Sequence, residues 1–375
     1  MTSTFFRPRV LIFSTAYFPF VGGAEVAVKE ITDRLTDYDF DLVTAKLRAD
    51  LPRVEVVGRV TVYRVGLGLP IDKIILAVCG GWYGLWLHHK HRYALIWSVM
   101  ASFGGLAGAI FKSWQSSIPL LLTLQEGDDL VEVERKAMIL GPWFRAIFTS
   151  ADYVQCISNY LADWAVRMNV VAPIDVVPNG VDVDVFTPAR NKFILDHKLV
   201  VTTSRLVKKN GVDLLIKAMT RLPKDVHLSI IGDGPERENL MTLVRDCNLD
   251  NRVEFVGHLD QTDMITYLRH ADVFVRASRS EGLGNSFLEA MAVGVPVIGT
   301  PVGGIVDFLR DGETGWLAWP EDMDSIAEKV KLVLDPEHKS EVVDVVARAR
   351  QLVLADYTWE SVVLRMRRIF GLLTT

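Results

Sequence analysis

Short apolar runs alternate with amphipathic stretches along most of the chain. Runs such as Val10–Ser14, Pro119–Leu124 and Leu199–Ser204 are almost continuously apolar or β-branched, which is typical of strands buried on both faces. The stretches between such runs have helical composition, so strand–loop–helix units recur. Consecutive units of this kind predict parallel sheets and therefore an α/β fold.

Residues 272–304 contain two such units in immediate succession. A strand is predicted over Asp272–Ala277 and a helix over Phe287–Val293, with a glycine turn between them, and Pro296–Thr300 begins the second unit. Both glycine loops therefore lie at the carboxyl ends of parallel strands, where open α/β sheets bind ligands. Each loop leads into a helix N-terminus, whose free N–H groups attract phosphate.

Two carboxylates bracket the first of these loops, Glu281 before its glycines and Glu289 near the start of the helix. A carboxylate accepts paired hydrogen bonds from vicinal hydroxyls, so Glu289 suits a ribose diol, and Glu281 suits a sugar hydroxyl or the amides of its own loop. The alternative is a capped helix with surface glutamates in an ordinary α/β domain. Phosphate-binding loops and diol-binding carboxylates together predict a nucleotide sugar as the ligand.

Composition narrows the class of protein. The chain has 375 residues, half of them hydrophobic, which is enough for about two domains with full cores. Its net charge is −5 and it has no long run of Lys and Arg, which argues against a nucleic-acid partner. Cys79, Cys156 and Cys247 lie far apart, so neither a disulfide framework nor a zinc site is indicated, and the cytoplasm is the expected compartment.

Two apolar segments bear on membrane contact. The amino-terminal stretch has no positively charged region ahead of its apolar residues, so we interpret it as the first strand and not as a signal peptide. The most hydrophobic window, Ile74–Leu87, is too short for a bilayer span of about 20 residues and precedes a basic cluster, 88–92. We interpret it first as a buried helix and second as a surface for peripheral contact with the inner face of a membrane.

The string EGLGNSFLEAMAVGVPVIGTPVGG, residues 281–304, resembles the donor site of retaining GT-B glycosyltransferases of glycosyltransferase family four. The family signature is two glutamates spaced Glu-x7-Glu, here Glu281 and Glu289, and family-like motifs extend over essentially the whole chain. The resemblance implies two Rossmann-like domains that face each other across a cleft, with a C-terminal helix that crosses back to the first. The predicted domains are 1–187 plus helix 358–375 for the acceptor and 188–357 for the nucleotide sugar, with a linker near Thr187–Phe193.

The resemblance also implies how the donor diphosphate is held. Family members have an arginine after the first strand of the second domain and a lysine five residues later. Arg205 matches the arginine, but Asn210 stands at the lysine position. We therefore expect Lys209 to bind the phosphate with Asn210 as a hydrogen-bonding helper; simple solvent exposure of Lys208 and Lys209 is the alternative. Arg205 and Lys209 would stabilise charge on the leaving diphosphate while Glu281 orients the sugar, and no metal is implied.

The other donor-binding residues implied by the resemblance lie in glycine loops. They are Gly22 and Gly23 in the first domain, Gly232 and Gly257 after strands of the second domain, and Gly282, Leu283, Gly284 and Asn285 between the two glutamates. Backbone groups read the base in such enzymes, so the resemblance implies a UDP- or GDP-sugar without distinguishing the two.

One position on the acceptor side departs from the family pattern. Many members have a histidine at the end of the strand 119–124, where this chain has Gln125. A glutamine donates and accepts hydrogen bonds but cannot take a proton, so we expect Gln125 to position substrate without acting as a base. Asp128 is the nearest carboxylate candidate, with a helix-capping or loop role as the alternative.

These motifs together predict a retaining hexosyltransferase that moves a sugar from a nucleotide diphosphosugar to an acceptor hydroxyl. The aromatic loop Tyr17–Phe20 and the apolar window 74–87 suggest a glycan or lipid-linked glycan acceptor, and hence polysaccharide or cell-envelope biosynthesis. Two alternatives stay open. One is another enzyme on the same fold, such as a nucleotide-sugar epimerase or a sugar phosphorylase; the other is a non-catalytic sugar-nucleotide-binding protein, suggested by Gln125 and Asn210. The oligomeric state is not predicted.

Overall fold

The computed structural model describes residues 7–189 and 196–375. The chain divides into two compact units, one running up to Asn179 and completed by Trp359–Thr375, the other spanning Gly180–Thr358. Each unit contains one sheet of predominantly parallel strands with helices between them. The alternation of apolar runs and helical stretches therefore predicted the fold class correctly.

The first unit is built on an eight-stranded sheet in the order β3-β4-β2-β1-β5-β6-β7-β8, in which the described pairs are parallel except for β3 with β4. The strands are β1 (Arg9–Phe13), β2 (Asp39–Ala45), β3 (Val54–Val57), β4 (Val60–Val65), β5 (Leu95–Val99), β6 (Leu120–Leu124), β7 (Tyr153–Cys156) and β8 (Ile174–Val176). The helices between them are α1 (Gly23–Arg34), α2 (Asp72–His91), α3 (Phe103–Trp114), α4 (Leu130–Ala137), α5 (Pro142–Thr149) and α6 (Asn159–Arg167).

Strand β1 shows why its sequence is continuously apolar. Successive side chains of a strand point to opposite faces of the sheet. Val10 and Ile12 join the apolar core on one face, whereas Leu11 and Phe13 join a separate core on the other. Because helices cover both faces, neither set of positions tolerates polar side chains.

The second unit has a six-stranded parallel sheet in the order β11-β10-β9-β12-β13-β14. The strands are β9 (Lys198–Thr203), β10 (Val226–Ile231), β11 (Val253–Gly257), β12 (Val273–Arg276), β13 (Val297–Gly299) and β14 (Trp316–Leu317). The helices are α7 (Val212–Met219), α8 (Arg237–Asp246), α9 (Gln261–His270), α10 (Asn285–Val293), α11 (Met323–Leu334) and α12 (Lys339–Asp356).

An aromatic cluster fixes α10 over the end of the second sheet. The ring of Phe287 in α10 packs edge-on against Phe274 of β12, with 5.4 Å between ring centroids, and lies 6.0 Å from Phe308. All three side chains are fully buried. The cluster therefore holds the helix that carries Glu289 in a fixed position relative to β12.

The boundary between the units differs from the predicted one at residue 187. The amide of Val181 donates a 2.7 Å hydrogen bond to the carbonyl of Tyr357, and Phe186 is fully buried. Arg269 of α9 donates to the carbonyls of Val185 and Thr187. Residues 181–187 therefore pack as part of the second unit, which begins at Gly180. Residues 190–193 of the predicted linker Thr187–Phe193 lie outside the described residues.

The final helix, α13 (Trp359–Thr374), returns to the first unit, as the resemblance implied. Phe370 packs edge-on against Trp97 of β5 at 5.3 Å between ring centroids and against Tyr38 at 5.4 Å. Buried Val362 and Met366 join the same core. The first unit is thus completed by a segment from the far end of the chain.

The prediction of a buried helix over Ile74–Leu87 was wrong for one of its faces. The helix exists as α2, but its buried face includes Gly80, Gly81 and Gly84, while Trp82 and Trp86 are half exposed. Hydrophobicity alone could not show this, because the small residues face inward and several of the large ones face outward. Across residues 7–189 and 196–375, no helix is both long and apolar enough to cross a membrane.

The glycine face of α2 predicts a stability difference between two identical substitutions. A Cβ atom at Gly84 would lie 2.7 Å from Cζ of buried Phe13 and 3.0 Å from Cδ2 of Leu11, whereas one at Gly371 of α13 meets nothing within 4 Å. Gly84→Ala should lower the free energy of unfolding by about 1 to 2 kcal/mol because overpacking outweighs the gain in helix propensity. Gly371→Ala should leave it unchanged or raise it by about 0.5 to 1 kcal/mol.

Urea unfolding followed by circular dichroism measures both variants. Equal stability of the two would contradict the close packing described for α2.

Candidate functional site: the carboxyl edge of the second sheet

A network of charged and polar side chains lies where β12 ends. The guanidinium of Arg276 is 2.6 Å from a carboxylate oxygen of Glu281, and both side chains are nearly buried, with 11% and 12% of their surface exposed. The same guanidinium donates to Oδ1 of Asn210 at 2.9 Å and to the hydroxyl of Ser286 at 2.8 Å. Arg276 thus connects the loop after β9, the loop after β12 and the first turn of α10 at one edge of the sheet.

Asn210 holds the loop that follows β9. Its side-chain amide donates a 2.6 Å hydrogen bond to the carbonyl of Arg205, while its oxygen accepts from Arg276. The next residue, Gly211, has φ +65°, and a Cβ there would lie 1.7 Å from the carbonyl oxygen of Ala277. Asn210 is therefore a buried structural connection, whereas Arg205 is exposed and Lys209 is half-buried on the same loop.

Arg279 secures that loop from the other side. It forms a two-point ion pair with Asp213 of α7 at 2.8 and 2.9 Å, a second pair with Glu321 at 2.5 Å, and donates to the carbonyl of Lys208. The hydrogen bonds that Arg279 donates to Asp213 and Glu321 raise its pKa. Its guanidinium is thus engaged in positioning the loop that carries Arg205 and Lys209.

Glu281 contacts the loop amides as well as Arg276. One of its oxygens accepts from the amide of Gly282 at 3.3 Å, and its carbonyl accepts from the amide of Gly304 at 3.1 Å. Gly303 has φ +56°, and a Cβ there would lie 1.8 Å from the carbonyl of Glu281. The two glycine loops predicted from residues 272–304 therefore pack directly against each other.

Glu289 lies on α10, one helical turn beyond Asn285. Withdrawal from water raises the pKa of this carboxyl to about 7, and the positive charge of Arg276 opposes the shift. Burial disfavours the charged form of an acid. A ligand whose hydroxyl groups donate hydrogen bonds to Glu289 would therefore stabilise the charged form of its carboxyl.

Several buried polar atoms at this edge have no hydrogen-bond partner within the described part of the chain. They are the hydroxyl oxygens of Thr203, Ser204 and Ser278, Nε of Arg276, and Oε2 of Glu281, whose contact with Arg276 is an ion pair without hydrogen-bond geometry. Thr203 ends β9 and Arg276 ends the neighbouring β12. An unsatisfied buried polar group costs roughly 1–3 kcal/mol, so these atoms, at the ends of two neighbouring strands, are groups that a polar ligand can satisfy.

Most of the predicted donor-binding residues lie at this same edge. Gly232 follows β10 with φ +133°, and its amide donates to the carbonyl of Gly257 at the end of β11. A Cβ at Gly232 would collide with the carbonyl of Ser204, whereas the space around Gly257 is open. Leu283 is buried and Gly284, at φ +96°, is the N-cap of α10. The sheet thus brings together loops separated by up to 80 residues in the chain.

Gly22 and Gly23 belong to the first unit and lie at the carboxyl end of β1. Gly22 is the N-cap of α1, and a Cβ there would lie 2.7 Å from a carboxylate oxygen of Glu25. Burial raises the pKa of Glu25, and hydrogen bonds from its own amide and that of Gly22 oppose the shift. The carboxylate of Glu25 therefore packs against the loop at Gly22 and interacts with its backbone amides.

The predicted acceptor residues follow β6 in the first unit. Gln125 is buried, and its oxygen accepts a 3.3 Å hydrogen bond from the amide of Asn179. Asp128 is exposed, and the cap of α4 is Asp129, whose carboxylate accepts from the amides of Val131 and Glu132. The helix-capping role considered for Asp128 is therefore performed by Asp129.

Glu126 is a candidate that sequence reasoning missed. It is 4% exposed, one oxygen accepts from the amide of Ala101, and the other is buried without a partner in the described residues. Burial raises the pKa of Glu126 to about 7. The signal was present, since this carboxylate directly follows Gln125 at a strand end, but a glutamate at such a position is more often exposed.

Comparison with known proteins agrees with this geometry. The model for "Glycosyltransferase Family 4" matches residues 21–185, and the model for "Glycosyl transferases group 1" matches residues 186–351. The chain belongs to glycosyltransferase family four. It is therefore a transferase, which supports neither the epimerase nor the binding-protein alternative raised by its sequence.

Individual family members show how far the similarity extends. An uncharacterized glycosyltransferase of Methanocaldococcus jannaschii is 27% identical over 96% of this chain and 97% of that protein. A GDP-mannose-dependent phosphatidylinositol monomannoside mannosyltransferase of Mycobacterium tuberculosis is 31% identical over 59% of this chain and 62% of its own length. Anabaena HepE, solved with UDP and glucose, superposes with a TM-score of 0.80 at 17% identity, covering 97% of this chain and all of that one. The fold is therefore GT-B.

The raised pKa of Glu126 predicts how stability of this family-four enzyme depends on pH. Between the ordinary pKa of 4.5 and about 7, the folded state binds more protons than the unfolded chain, so the free energy of unfolding falls as pH rises. The fall attributable to this group should reach about 3 kcal/mol. Glu126→Gln keeps the acceptor for the amide of Ala101, removes the titration and should flatten this part of the profile.

Urea midpoints measured from pH 4.5 to pH 8 test the expectation. Exposed Glu328 offers the matched control, because Glu328→Gln also removes one negative charge. A profile for Glu126→Gln that parallels both the wild type and the control would contradict it.

Proposed function

We propose that this glycosyltransferase transfers a sugar from a UDP- or GDP-sugar to an acceptor hydroxyl with retention of the anomeric configuration. The observation that carries the proposal is the Arg276–Glu281–Asn210 network beside buried, unpartnered hydroxyls at the carboxyl edge of the second sheet. Such an edge supplies charge, hydrogen-bond donors and glycine loops in one place, which a nucleotide diphosphosugar requires. The GDP-mannose-dependent mycobacterial relative and HepE, solved with UDP and glucose, support this class of donor.

The donor diphosphate needs fixed positive charge. Arg205 and Lys209 stand on the loop after β9, where the first is exposed and the second half-buried. Negative charge grows on the diphosphate as the bond to the sugar breaks, so cations beside it stabilise the transition state more than the ground state. We assign this role to Arg205, Lys209 and, in addition, Arg276, and expect transfer to proceed without a divalent metal.

Arg276 takes the place of the cation that Asn210 lacks. Asn210 occupies the position where the resemblance implies a lysine, and its oxygen lies 2.9 Å from the guanidinium of Arg276. The positive charge therefore comes from the neighbouring strand β12 instead of from the loop after β9. Because guanidinium binds phosphate and carboxylate with the same planar geometry, Arg276 suits both the diphosphate and Glu281.

The two signature glutamates have distinct roles in this proposal. Glu281, oriented by Arg276 and the amide of Gly282, accepts hydrogen bonds from hydroxyls of the transferred sugar. Glu289 accepts hydrogen bonds from the two hydroxyls of the ribose. Burial disfavours the charged carboxylate of Glu289, and these hydrogen bonds would favour it. Donor binding should therefore lower the pKa of Glu289.

The acceptor belongs to the first unit in this proposal. Gln125 and Asp128 position it. Gln125 cannot take a proton, so the leaving diphosphate assists removal of the proton from the acceptor hydroxyl. The mycobacterial relative is named for a lipid-linked glycan acceptor, which supports a glycan or lipid-linked glycan of the cell envelope as the acceptor here.

Donor binding gives the first test. In a thermal-shift panel of UDP- and GDP-sugars, with magnesium or with a chelator, one donor should raise the melting temperature equally in both conditions, because a ligand that binds only the folded state stabilises it by mass action. Glu289→Ala should abolish most of that shift, whereas Glu328→Ala, at an exposed glutamate, should retain it. A shift that requires magnesium or survives in Glu289→Ala would argue against the site as described.

A charge exchange tests the role of Arg276. Arg276→Leu should lower kcat/KM about 30- to 150-fold and weaken binding of the free nucleoside diphosphate, since a buried guanidinium–phosphate contact contributes roughly 2–3 kcal/mol. Adding Asn210→Lys to that variant returns a cation to the same place and should restore at least about tenfold of the loss.

Calorimetry measures the affinity of each variant for UDP and GDP. If Arg276 served only to hold the loops, adding Asn210→Lys would not restore that affinity. A double variant that is folded but binds nucleotide no better than Arg276→Leu would overturn the assignment.

A further inference from the structure

One face of α2 presents large apolar side chains to solvent. Ile74, Val78, Trp82 and Trp86 recur at intervals of four residues and are each at least half exposed. Trp114, at the end of α3, extends the same surface, since its ring lies 4.6 Å from that of Trp82. We call these five residues the α2 face.

The loop before α2 continues the apolar surface. Leu67, Leu69 and Ile71 are exposed by more than half, and each precedes or begins the first turn. The loop is held by Asp72, whose buried carboxylate accepts hydrogen bonds from the amides of Leu67, Gly68 and Leu69. The exposed side chains of Leu67, Leu69 and Ile71 therefore lie on a loop that hydrogen bonds hold in place.

The opposite side of α2 is tightly packed, so the α2 face cannot turn inward. A Cβ on Gly81 would lie 2.8 Å from the carbonyl of Ala107 in α3, and one on Gly80 would lie 3.1 Å from the Cβ of Ala107. Contact this close leaves no room for the tryptophans on that side. The helix thus lies flat on the first unit with its largest side chains outward.

The charges on α2 are of one sign where they are exposed. The exposed cationic side chains are Lys73 in the first turn, and Lys90 and Arg92 at the end of the helix. The ammonium of Lys90 stands 3.5 Å from the ring centre of Trp86. Asp72 is the acidic residue of the helix sequence, and it is buried in the loop just described. Within residues 72–91, the apolar stripe is therefore accompanied by exposed cations and by no exposed carboxylate.

We propose that the α2 face is a docking surface for an anionic lipid bilayer. Tryptophan and lysine side chains favour the boundary between lipid headgroups and acyl chains, where the rings enter the apolar layer and the ammonium groups stay at the headgroups. A second copy of the chain is the less suitable occupant, because face-to-face packing of two identical surfaces would bring Lys73, Lys90 and Arg92 toward like charges. The proposal stands on the first unit alone and does not depend on the donor site.

Flotation with vesicles tests the proposal on the full chain. Wild-type protein should float with vesicles of phosphatidylcholine and phosphatidylglycerol and float less with phosphatidylcholine alone. Trp82→Ser combined with Trp86→Ser should lower partitioning into both kinds of vesicle by about tenfold or more. Lys73→Glu combined with Lys90→Glu should lower partitioning by about tenfold into the anionic vesicles only.

Matched controls come from the second unit. Trp319 is 71% exposed and Lys224 is exposed, so Trp319→Ser and Lys224→Glu make the same chemical changes outside the α2 face and should partition like the wild type. Melting temperatures establish that every variant is folded.

Three results would overturn the proposal. The wild type could fail to float with anionic vesicles, or the controls could lose as much binding as the α2 variants. In the third case, light scattering would show a dimer that Trp82→Ser with Trp86→Ser dissociates, which would identify the surface as a contact between copies.

Discussion

The site depends on one nearly buried ion pair, Arg276 with Glu281. A charged group withdrawn from water is tolerated only when an opposite charge and further hydrogen bonds accompany it. Here those bonds come from Asn210 on the loop after β9 and from Ser286 in the first turn of α10. Three segments of the chain are thereby fixed to the end of one strand. The same interaction that stabilises the loops also places a guanidinium and a carboxylate beside the unpartnered hydroxyls at the ends of β9 and β12.

The ion pair also bears on the position at which the chain departs from the pattern of its family. Asn210 is too short and uncharged to bind phosphate as a lysine would, yet it is buried and bonded at both ends of its amide. In the proposed function, Arg276 on β12 meets the same electrostatic requirement. Charge at a site is thus a property of the assembled edge, and the strand that supplies it can change.

Both units withdraw a carboxyl from water near the carboxyl end of a parallel sheet. Glu126 in the first unit and Glu289 in the second each have a pKa raised to about 7 by burial. Parallel sheets bury strand ends beneath loops and helices, so a polar residue there exchanges water for protein atoms. Above its ordinary pKa such a carboxyl weakens the folded state, and a bound partner can shift its titration, a combination typical of functional sites. Helix α2 departs from the usual burial of large apolar side chains, because its glycines face the core and its tryptophans face solvent.

The sequence by itself determined the α/β class, the strand ends, the glycine loops and the two signature glutamates, because each is encoded by neighbours within a few residues. Only the tertiary structure decided that Arg276 bonds to Asn210, 66 positions away in the chain, that residues 181–187 pack with the second unit, and that the glycines of α2 face inward. Apolar periodicity shows that a helix has a buried side but not which side packs more closely. Partners distant in sequence are chosen by sheet order and by the volume left between packed elements, and neither is written in a local pattern.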